Sequence, residues 1–139
     1  MNQIFVDTSA WSAIADLNDI DHELAVLYQD EVAERRRLVV TNYILDELYT
    51  LMLMNQGYQD AVAFKNELDL MIQTGVLKEV WVTEEMAREA WKVFEKFNVD
   101  KEWSFTDCVS YVVMKQREII EVFTFDHHFE QMGFMMRPG

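Results

Sequence analysis

The chain has 139 residues, of which half are hydrophobic, and it contains only four Gly and one Pro. This composition favours a single domain, residues 1–139, and excludes extensive disorder. The net charge of −13 at pH 7 argues against a polyanionic partner, although bound cations would offset a metal-binding carboxylate cluster.

No apolar run approaches the roughly 20 residues that cross a bilayer, and no basic region precedes an apolar leader. Cys108 is the only cysteine, so an internal disulfide is excluded. These features predict a cytoplasmic protein with no membrane partner.

Short apolar runs alternate with amphipathic segments along the chain, which predicts strands and helices in turn. In chain order the predicted elements are strand 4–6, helix 10–17 capped by Thr8 or Ser9, a helix from Asp19 or Asp21 to Arg37, strand 38–41, helix 43–55 capped by Asn42, helix 58–73, strand 77–82, helix 84–97 capped by Thr83, helix 104–116, strand 121–125, a turn or short helix 127–132 and a candidate edge strand 134–136. This order favours a central parallel sheet with helices on both faces.

Two basic groups have two explanations each. Arg35-Arg36-Arg37 is expected to close the second helix, where cations interact favourably with the macrodipole, and an RNA-binding patch is the alternative. A row of Arg88, Lys92 and Lys96 recurs every four residues on one helix. Pairing with neighbouring glutamates explains this row, and phosphate contact is the alternative.

Four acidic residues stand at positions where a metal site is conceivable. Asp7 and Asp126 each end an apolar strand, and the carboxyl ends of adjacent parallel strands lie side by side, where ligands bind in open α/β sheets. Glu47 borders the apolar face of its helix, which is costly for an unpaired carboxylate. Asp107 lies in the first helical turn after Ser104. Turn formation, solvent exposure and helix capping are the structural alternatives for these acids.

The contexts of these acids resemble those of a known family. They are Ile-Phe-Val-Asp7-Thr-Ser, Ile-Leu-Asp-Glu47-Leu, Trp-Ser-Phe-Thr-Asp107-Cys and Thr-Phe-Asp126-His-His-Phe. In this order they are similar to the acidic motifs of PIN-domain ribonucleases, and most similar to those of the VapC toxins of toxin–antitoxin pairs. The resemblance covers essentially the whole chain. It implies an α/β/α sandwich with a mainly parallel sheet and metal-dependent endonucleolytic cleavage of RNA.

The resemblance also assigns the site. Asp7, Glu47, Asp107 and Asp126 become catalytic acids at a Mg²⁺ or Mn²⁺ centre, because hard cations prefer oxygen ligands. We expect Asp7 and Asp107 to be the nearest ligands, and Glu47 and Asp126 to act directly or through water.

Further expectations concern neighbouring residues and partners. Thr8 and Thr106 are candidates for positioning phosphate or water, although capping explains them equally well. An RNA substrate and an antitoxin partner follow from the resemblance. A homodimer or antitoxin contact is predicted on the central helices, where apolar side chains point in more than one direction: Tyr43, Tyr49, Leu53 and Tyr58.

Other functions fit less well. A zinc site at His127 and His128 is disfavoured because adjacent residues rarely face one metal, and Cys108 fits a core position better than a nucleophile. The acidic total charge favours one alternative, a PIN-like scaffold that binds RNA or protein without cutting. An aspartyl phosphotransferase using Asp7 ranks last, because such sites often place an acid where this chain has Ser9.

Overall fold

A computed structural model describes residues 2–139 and shows a five-stranded sheet in the order β3-β2-β1-β4-β5. All four strand pairings are parallel. The strands are β1 (Gln3–Val6), β2 (Arg37–Thr41), β3 (Leu77–Val80), β4 (Glu121–Phe123) and β5 (Met135–Arg137). The final strand, which the sequence offered only as a candidate, is therefore present at the edge of the sheet.

Among residues 2–139, seven helices connect these strands. They are α1 (Thr8–Ala15), α2 (His22–Ala33), α3 (Asn42–Asn55), α4 (Tyr58–Gln73), α5 (Glu84–Phe97), α6 (Phe105–Gln116) and α7 (His128–Gln131). Helix α1 packs on both α2 and α3, α3 packs on α4, and α5 packs mainly on α6. Right-handed crossovers place the β1-to-β3 helices on one face and the β3-to-β4 helices on the other. The predicted three-layer α/β/α sandwich with a parallel sheet is confirmed.

The strand order puts β1 at the centre, where the direction of the crossovers reverses. Phe5 of β1 pairs with Val39 of β2 on one side and with Val122 of β4 on the other. Ile4, Phe5 and Val6 are fully buried, because a central parallel strand is covered on both faces. The carboxyl ends of β1 and β4 are therefore adjacent at the topological switch point.

The second helix ends at Ala33, so the prediction that it runs to Arg37 is wrong. Arg37 begins β2 and pairs with Gln3, since the parallel ladder satisfies its backbone better than a further helical turn. The arginine run does not form a helix C-terminal cap. Arg35 pairs with Glu31 one turn earlier, and Arg36 reaches Glu121 on β4.

Two helix caps lie one or two residues earlier than predicted. Asp7, rather than Thr8 or Ser9, caps α1, and Thr41, rather than Asn42, caps α3. Asn42 instead accepts a hydrogen bond from the Val82 backbone at 2.7 Å. This contact lies just beyond the end of β3, which stops at Val80 rather than at the predicted Val82. The fourth strand is also shorter than predicted and ends at Phe123.

Within the described residues, none of the helices is both long and apolar enough to cross a membrane. Two of the three cations in the basic row of α5 form ion pairs, as the sequence suggests, whereas Lys96 lies over the ring of Phe97. Arg88 contacts Glu84, and Lys92 contacts Glu89.

Candidate active site

A cleft of about 460 Å³ opens at the carboxyl ends of β1 and β4. All four predicted acids and Thr8 line it, whereas Thr106 does not. The complete lining is Asp7, Thr8, Ser9, Ser12, Asp19, Asp21, Glu47, Leu51, Glu102, Ser104, Asp107, Phe125, Asp126 and His128. Residues that are far apart in the sequence thus meet at the sheet edge where α/β proteins bind ligands.

Asp7 is buried at the junction of β1 and α1, with 4% of its surface exposed. Its Oδ2 atom accepts hydrogen bonds from the hydroxyls of Ser9 at 3.0 Å and Thr124 at 2.9 Å. The same two hydroxyls also accept from the backbone of Phe125 and Asp126, respectively. The segment after β4 is therefore tied to the start of α1, which fixes Asp126 relative to Asp7.

Asp107 lies at the start of α6 and forms a capping box with Ser104, as its alternative explanation proposed. Its Oδ2 atom also lies 3.0 Å from Nδ1 of His128. The same ring nitrogen is 3.4 Å from Oδ1 of Asp126, and the His128 backbone N–H donates to that oxygen at 2.9 Å. Capping and membership of the acidic cluster are therefore compatible roles of one side chain.

The aspartates share a hydrogen-bonding pattern. Bonds from residues 2–139 reach Oδ2 of Asp7, Oδ2 of Asp107 and Oδ1 of Asp126. The other oxygen of each side chain accepts no hydrogen bond within that range. These three free oxygens are not among the solvent-inaccessible polar atoms that lack a partner in the described residues, so they are reached by solvent. Each carboxylate is thus held by one oxygen and offers the other to the cleft.

The acids are electrostatically strained. Burial, followed by the charge of Asp107, raises the pKa of Asp7 from 3.8 to about 6. Burial also raises the pKa of Asp107, and the hydrogen bond from His128 only partly opposes it. The hydrogen bond to Asp107 in turn raises the pKa of His128. Like charges held together away from water favour a cation among them.

The chain is similar to known proteins over most of its length. The PIN domain family model matches residues 4–135. The chain belongs to the PIN-domain family. It is 32% identical over 137 residues to the 23S rRNA-specific endonuclease VapC20 of Mycobacterium tuberculosis, covering 97% of this chain and 98% of that protein. It is 30% identical over 126 residues to a VapC ribonuclease of Archaeoglobus fulgidus, covering 89% of this chain and 77% of that protein.

Solved structures agree with this membership. The crystal structure of Mycobacterium tuberculosis VapC20, a Sarcin-Ricin loop cleaving toxin, matches with a TM-score of 0.82 and 28% identity over 95% of this chain and 96% of that one. VapBC2 from Rickettsia felis, bound to a DNA fragment from their promoter, matches with a TM-score of 0.71 over 97% of both chains, at an identity of 8% that shows the fold alone. The predicted family is confirmed, and with it the class of the VapC-type endoribonucleases.

The described residues of this PIN domain fit a divalent cation. Ligand atoms of Asp107, Asp126 and His128 lie within 4.8 Å of one another, and Asp7 is coupled by charge to Asp107. A further sign is the buried hydroxyl of Thr8, which has no hydrogen-bond partner among the described residues although Thr8 lines the cleft. Water or another oxygen ligand at the centre would satisfy such a group.

The predicted residues are not equivalent in the structure. Glu47 is half-buried in the wall of the cleft and lies outside the compact group of Asp107, Asp126 and His128. Thr106 instead accepts a hydrogen bond from Ser110 through its backbone carbonyl. Thr106 itself is not among the residues that line the cleft.

The sequence reasoning missed two groups of site residues. His128 was weighed only as a zinc ligand beside His127, yet it lies between two acids while His127 is exposed. An Asx turn at Asp126 folds the backbone of His128 back to that carboxylate, and the Asp-x-His spacing was the available signal. The Ser9–Thr124 pair joins residues 115 positions apart and had no local signal.

Proposed function

We propose that this protein is a Mg²⁺- or Mn²⁺-dependent endoribonuclease and the toxin of a toxin–antitoxin pair, with residues 1–139 forming one nuclease domain in the cytoplasm. The observation that carries the proposal is the group of three aspartates at the switch point, each with one oxygen held by the protein and one facing the cleft. An RNA-cutting PIN nuclease needs such oxygens to hold hard cations.

The assigned roles follow the positions of the acids. Asp7 and Asp107 hold the cation, which would offset the raised pKa that burial, followed by the charge of Asp107, gives Asp7. Asp126 and Glu47 border the same cleft and orient the attacking water or a second ion. When bound, the cation activates water and stabilises the charge that develops on the phosphate during in-line displacement. Thr8 adds a hydroxyl that can hold water or a phosphate oxygen.

An RNA substrate is supported by the relatives. Both VapC20 and the Archaeoglobus fulgidus protein are named as ribonucleases or rRNA endonucleases and cover most of this chain. The charge of −13 opposes the approach of a polyanion, and cations in the cleft offset part of that repulsion. We therefore expect both RNA binding and RNA cleavage to depend on the divalent ion.

A partner on the helical face is the second part of the proposal. A second cleft, of about 600 Å³, lies between the end of α1 and helices α3 and α4, on a different part of the surface from Asp7, and both apolar and acidic side chains line it. Leu53 and Tyr58 nearby are 54% and 72% exposed, whereas Tyr43 and Tyr49 are partly buried against the core. Exposed apolar side chains such as Leu53 and Tyr58 are typical of protein interfaces, and we assign this helical surface to contact with an antitoxin or a second copy of the chain.

The test compares the wild-type protein with Asp7→Asn and Asp107→Asn on structured and unstructured RNAs, with and without Mg²⁺ or Mn²⁺. We expect metal-dependent cleavage by the wild type and a loss of more than about 100-fold in each variant. Circular dichroism must show that both variants remain folded. A folded variant with wild-type turnover would refute the role of that residue.

The scaffold alternative makes the opposite prediction. A wild-type protein that binds RNA or an antitoxin but cuts no RNA at any metal concentration would identify a non-cleaving PIN-like module. Light scattering over a range of concentrations tests the dimer, and only monomers at every concentration would remove it from the proposal.

A further inference from the structure

We propose that His128 is a positioning residue of the metal centre, which acts by holding the carboxylate of Asp107 and, more weakly, that of Asp126 in the orientation that leaves their free oxygens toward the cation. This inference rests on the proposed metal-dependent function and extends it to a residue outside the four acids.

The contacts of the imidazole carry the argument. Its Nδ1 atom lies 3.0 Å from Oδ2 of Asp107 and 3.4 Å from Oδ1 of Asp126. An ionised carboxylate only accepts hydrogen bonds, so the hydrogen lies on Nδ1 and the ring donates. The bond to Asp107 has good length, and the contact with Asp126 is longer.

The same oxygen of Asp107 is also held by the backbone N–H of Ser104 at 3.2 Å. Two donors from different elements, the N-cap of α6 and the start of α7, therefore converge on one carboxylate oxygen. This double contact fixes the rotation of the carboxylate about its axis. Removing one donor leaves the carboxylate attached but free to turn.

A ligand role for His128 fits the geometry less well. Coordination through Nδ1 requires a deprotonated nitrogen, which would end the hydrogen bond to Asp107. Coordination through Nε2 would keep that bond but would make Asp107 a partner of the ring rather than a ligand of the cation. Hard cations such as Mg²⁺ also prefer oxygen to nitrogen ligands. Donation to a metal-binding carboxylate is the more consistent role, and hydrogen-bonded neighbours of this kind change metal affinity when they are removed.

The chain provides a conservative variant and a matched control. Asn at position 128 offers a side-chain N–H close to the position of Nδ1, whereas Ala offers none. His127 is the adjacent, exposed histidine, so His127→Ala removes the same chemical group outside the cluster. Because side chain 128 is one-third exposed, its truncation leaves no large cavity, and folding is checked by circular dichroism.

The experiment measures the affinity of the RNA-free protein for Mn²⁺ and Mg²⁺ by calorimetry at pH 8, where an imidazole is ordinarily neutral. We expect His128→Ala to weaken Mn²⁺ binding about 10–100-fold. His128→Asn should recover most of this loss, and His127→Ala should bind as the wild type does. In RNA cleavage assays, the KM for RNA measured at saturating metal should change little. The metal concentration that gives half-maximal rate should change more.

Several outcomes would overturn the inference. Unchanged Mn²⁺ affinity in His128→Ala would exclude positioning, and tighter binding would show that His128 competes with the cation instead. A nitrogen coupling to bound Mn²⁺ in electron paramagnetic resonance, lost in His128→Asn, would make His128 a ligand. A wild-type protein that binds Mn²⁺ but cuts no RNA would refute the proposed function alone, while one that binds no metal would refute both.

Discussion

The acidic side chains at the two ends of the strands differ in whether basic side chains pair with them. At the N-terminal end, Glu121 lies 2.7 Å from a nitrogen of Arg36 and 2.7 Å from a nitrogen of Arg137. At the carboxyl end, Asp7 and Asp107 are buried close to each other, and the hydrogen bonds of this cluster within residues 2–139 come from hydroxyls, backbone N–H groups and one histidine. One edge is compensated by cations and the other is not.

The pKa values follow this difference. Burial alone would raise the pKa of Glu121, but hydrogen bonds from Arg36 and Arg137 outweigh it, and the pKa is lowered. The pKa of Asp7 is raised to about 6, because burial and Asp107 outweigh the hydroxyl hydrogen bonds. A paired acid stabilises the fold, whereas an uncompensated group of acids stores repulsion that a cation relieves. The comparison therefore separates structural from functional carboxylates without reference to relatives.

The largest expected effect distinguishes acids within the carboxyl-end cleft. Asp126→Asn should reduce metal-dependent RNA cleavage by more than about 100-fold, because Asp126 belongs to the compact group with Asp107. Glu47→Gln should cost only about 10-fold, since Glu47 stands in the wall outside that group. Initial rates at several Mn²⁺ concentrations measure both. A Glu47 variant more impaired than the Asp126 variant would reverse this ranking.

The next effect concerns stability and pH. The folded pKa of Asp7 is about 6 and the ordinary value is 3.8, so between these values the folded state binds more protons than the unfolded state. The contribution of Asp7 to stability therefore falls as the pH rises through this window, by at most about 3 kcal/mol. Metal-free Asp7→Asn should escape that fall, because an amide does not titrate, and its oxygen can still accept from Ser9 and Thr124.

Urea denaturation of the metal-free proteins at pH 4, 5.5 and 7 checks this prediction. The variant should gain on the wild type as the pH rises, and saturating Mg²⁺ should restore the wild type, by about 2.7 kcal/mol at 100 times its dissociation constant. A constant difference between the two proteins across this pH range would contradict the strain assigned to Asp7.

At the N-terminal ends of the strands, removing an acid should reduce stability and leave RNA cleavage unchanged. Glu121→Gln removes the charge between Arg36 and Arg137, and we expect a loss of about 1–3 kcal/mol in the free energy of unfolding at pH 7. RNA cleavage by the folded variant should stay at the wild-type level, since Glu121 begins β4 and the cleft lies beyond its other end. Lost activity without lost stability would break the distinction between the two edges.

The smallest effect is expected for Cys108, the neighbour of Asp107. Its thiol is fully buried, and burial followed by the charge of Asp107 raises its pKa to about 11. A buried protonated thiol is inert, so Cys108→Ala should keep full cleavage and lose about 1 kcal/mol of stability through a small cavity. Inactivation of the native wild-type protein by a thiol reagent would contradict this.

Much of the fold follows from local patterns in the sequence. The apolar run Ile4–Val6 is buried in β1 as its composition predicts, and Ser104 with Asp107 forms the capping box that its spacing predicts. Strand alternation with amphipathic helices led to the parallel α/β/α sandwich, because burial on both faces and helical periodicity are properties of neighbouring residues. Asp7, Asp107 and Asp126 stand at the ends of these elements and Glu47 borders the apolar face of its helix, and the family resemblance assigned all four to one site.

Tertiary structure decided the rest. Three features depend on contacts across β1, β4 and their turns. Arg36 pairs with Glu121 instead of closing a helix, Ser9 and Thr124 both donate to Asp7, and His128 lies between Asp107 and Asp126. Hydrogen bonds and charge coupling act over a few ångströms in space and are not encoded by spacing along the chain. The sequence alone therefore named four acids that line one cleft, and only the packed sheet decided which groups hydrogen-bond to the aspartates and raise the pKa of Asp7.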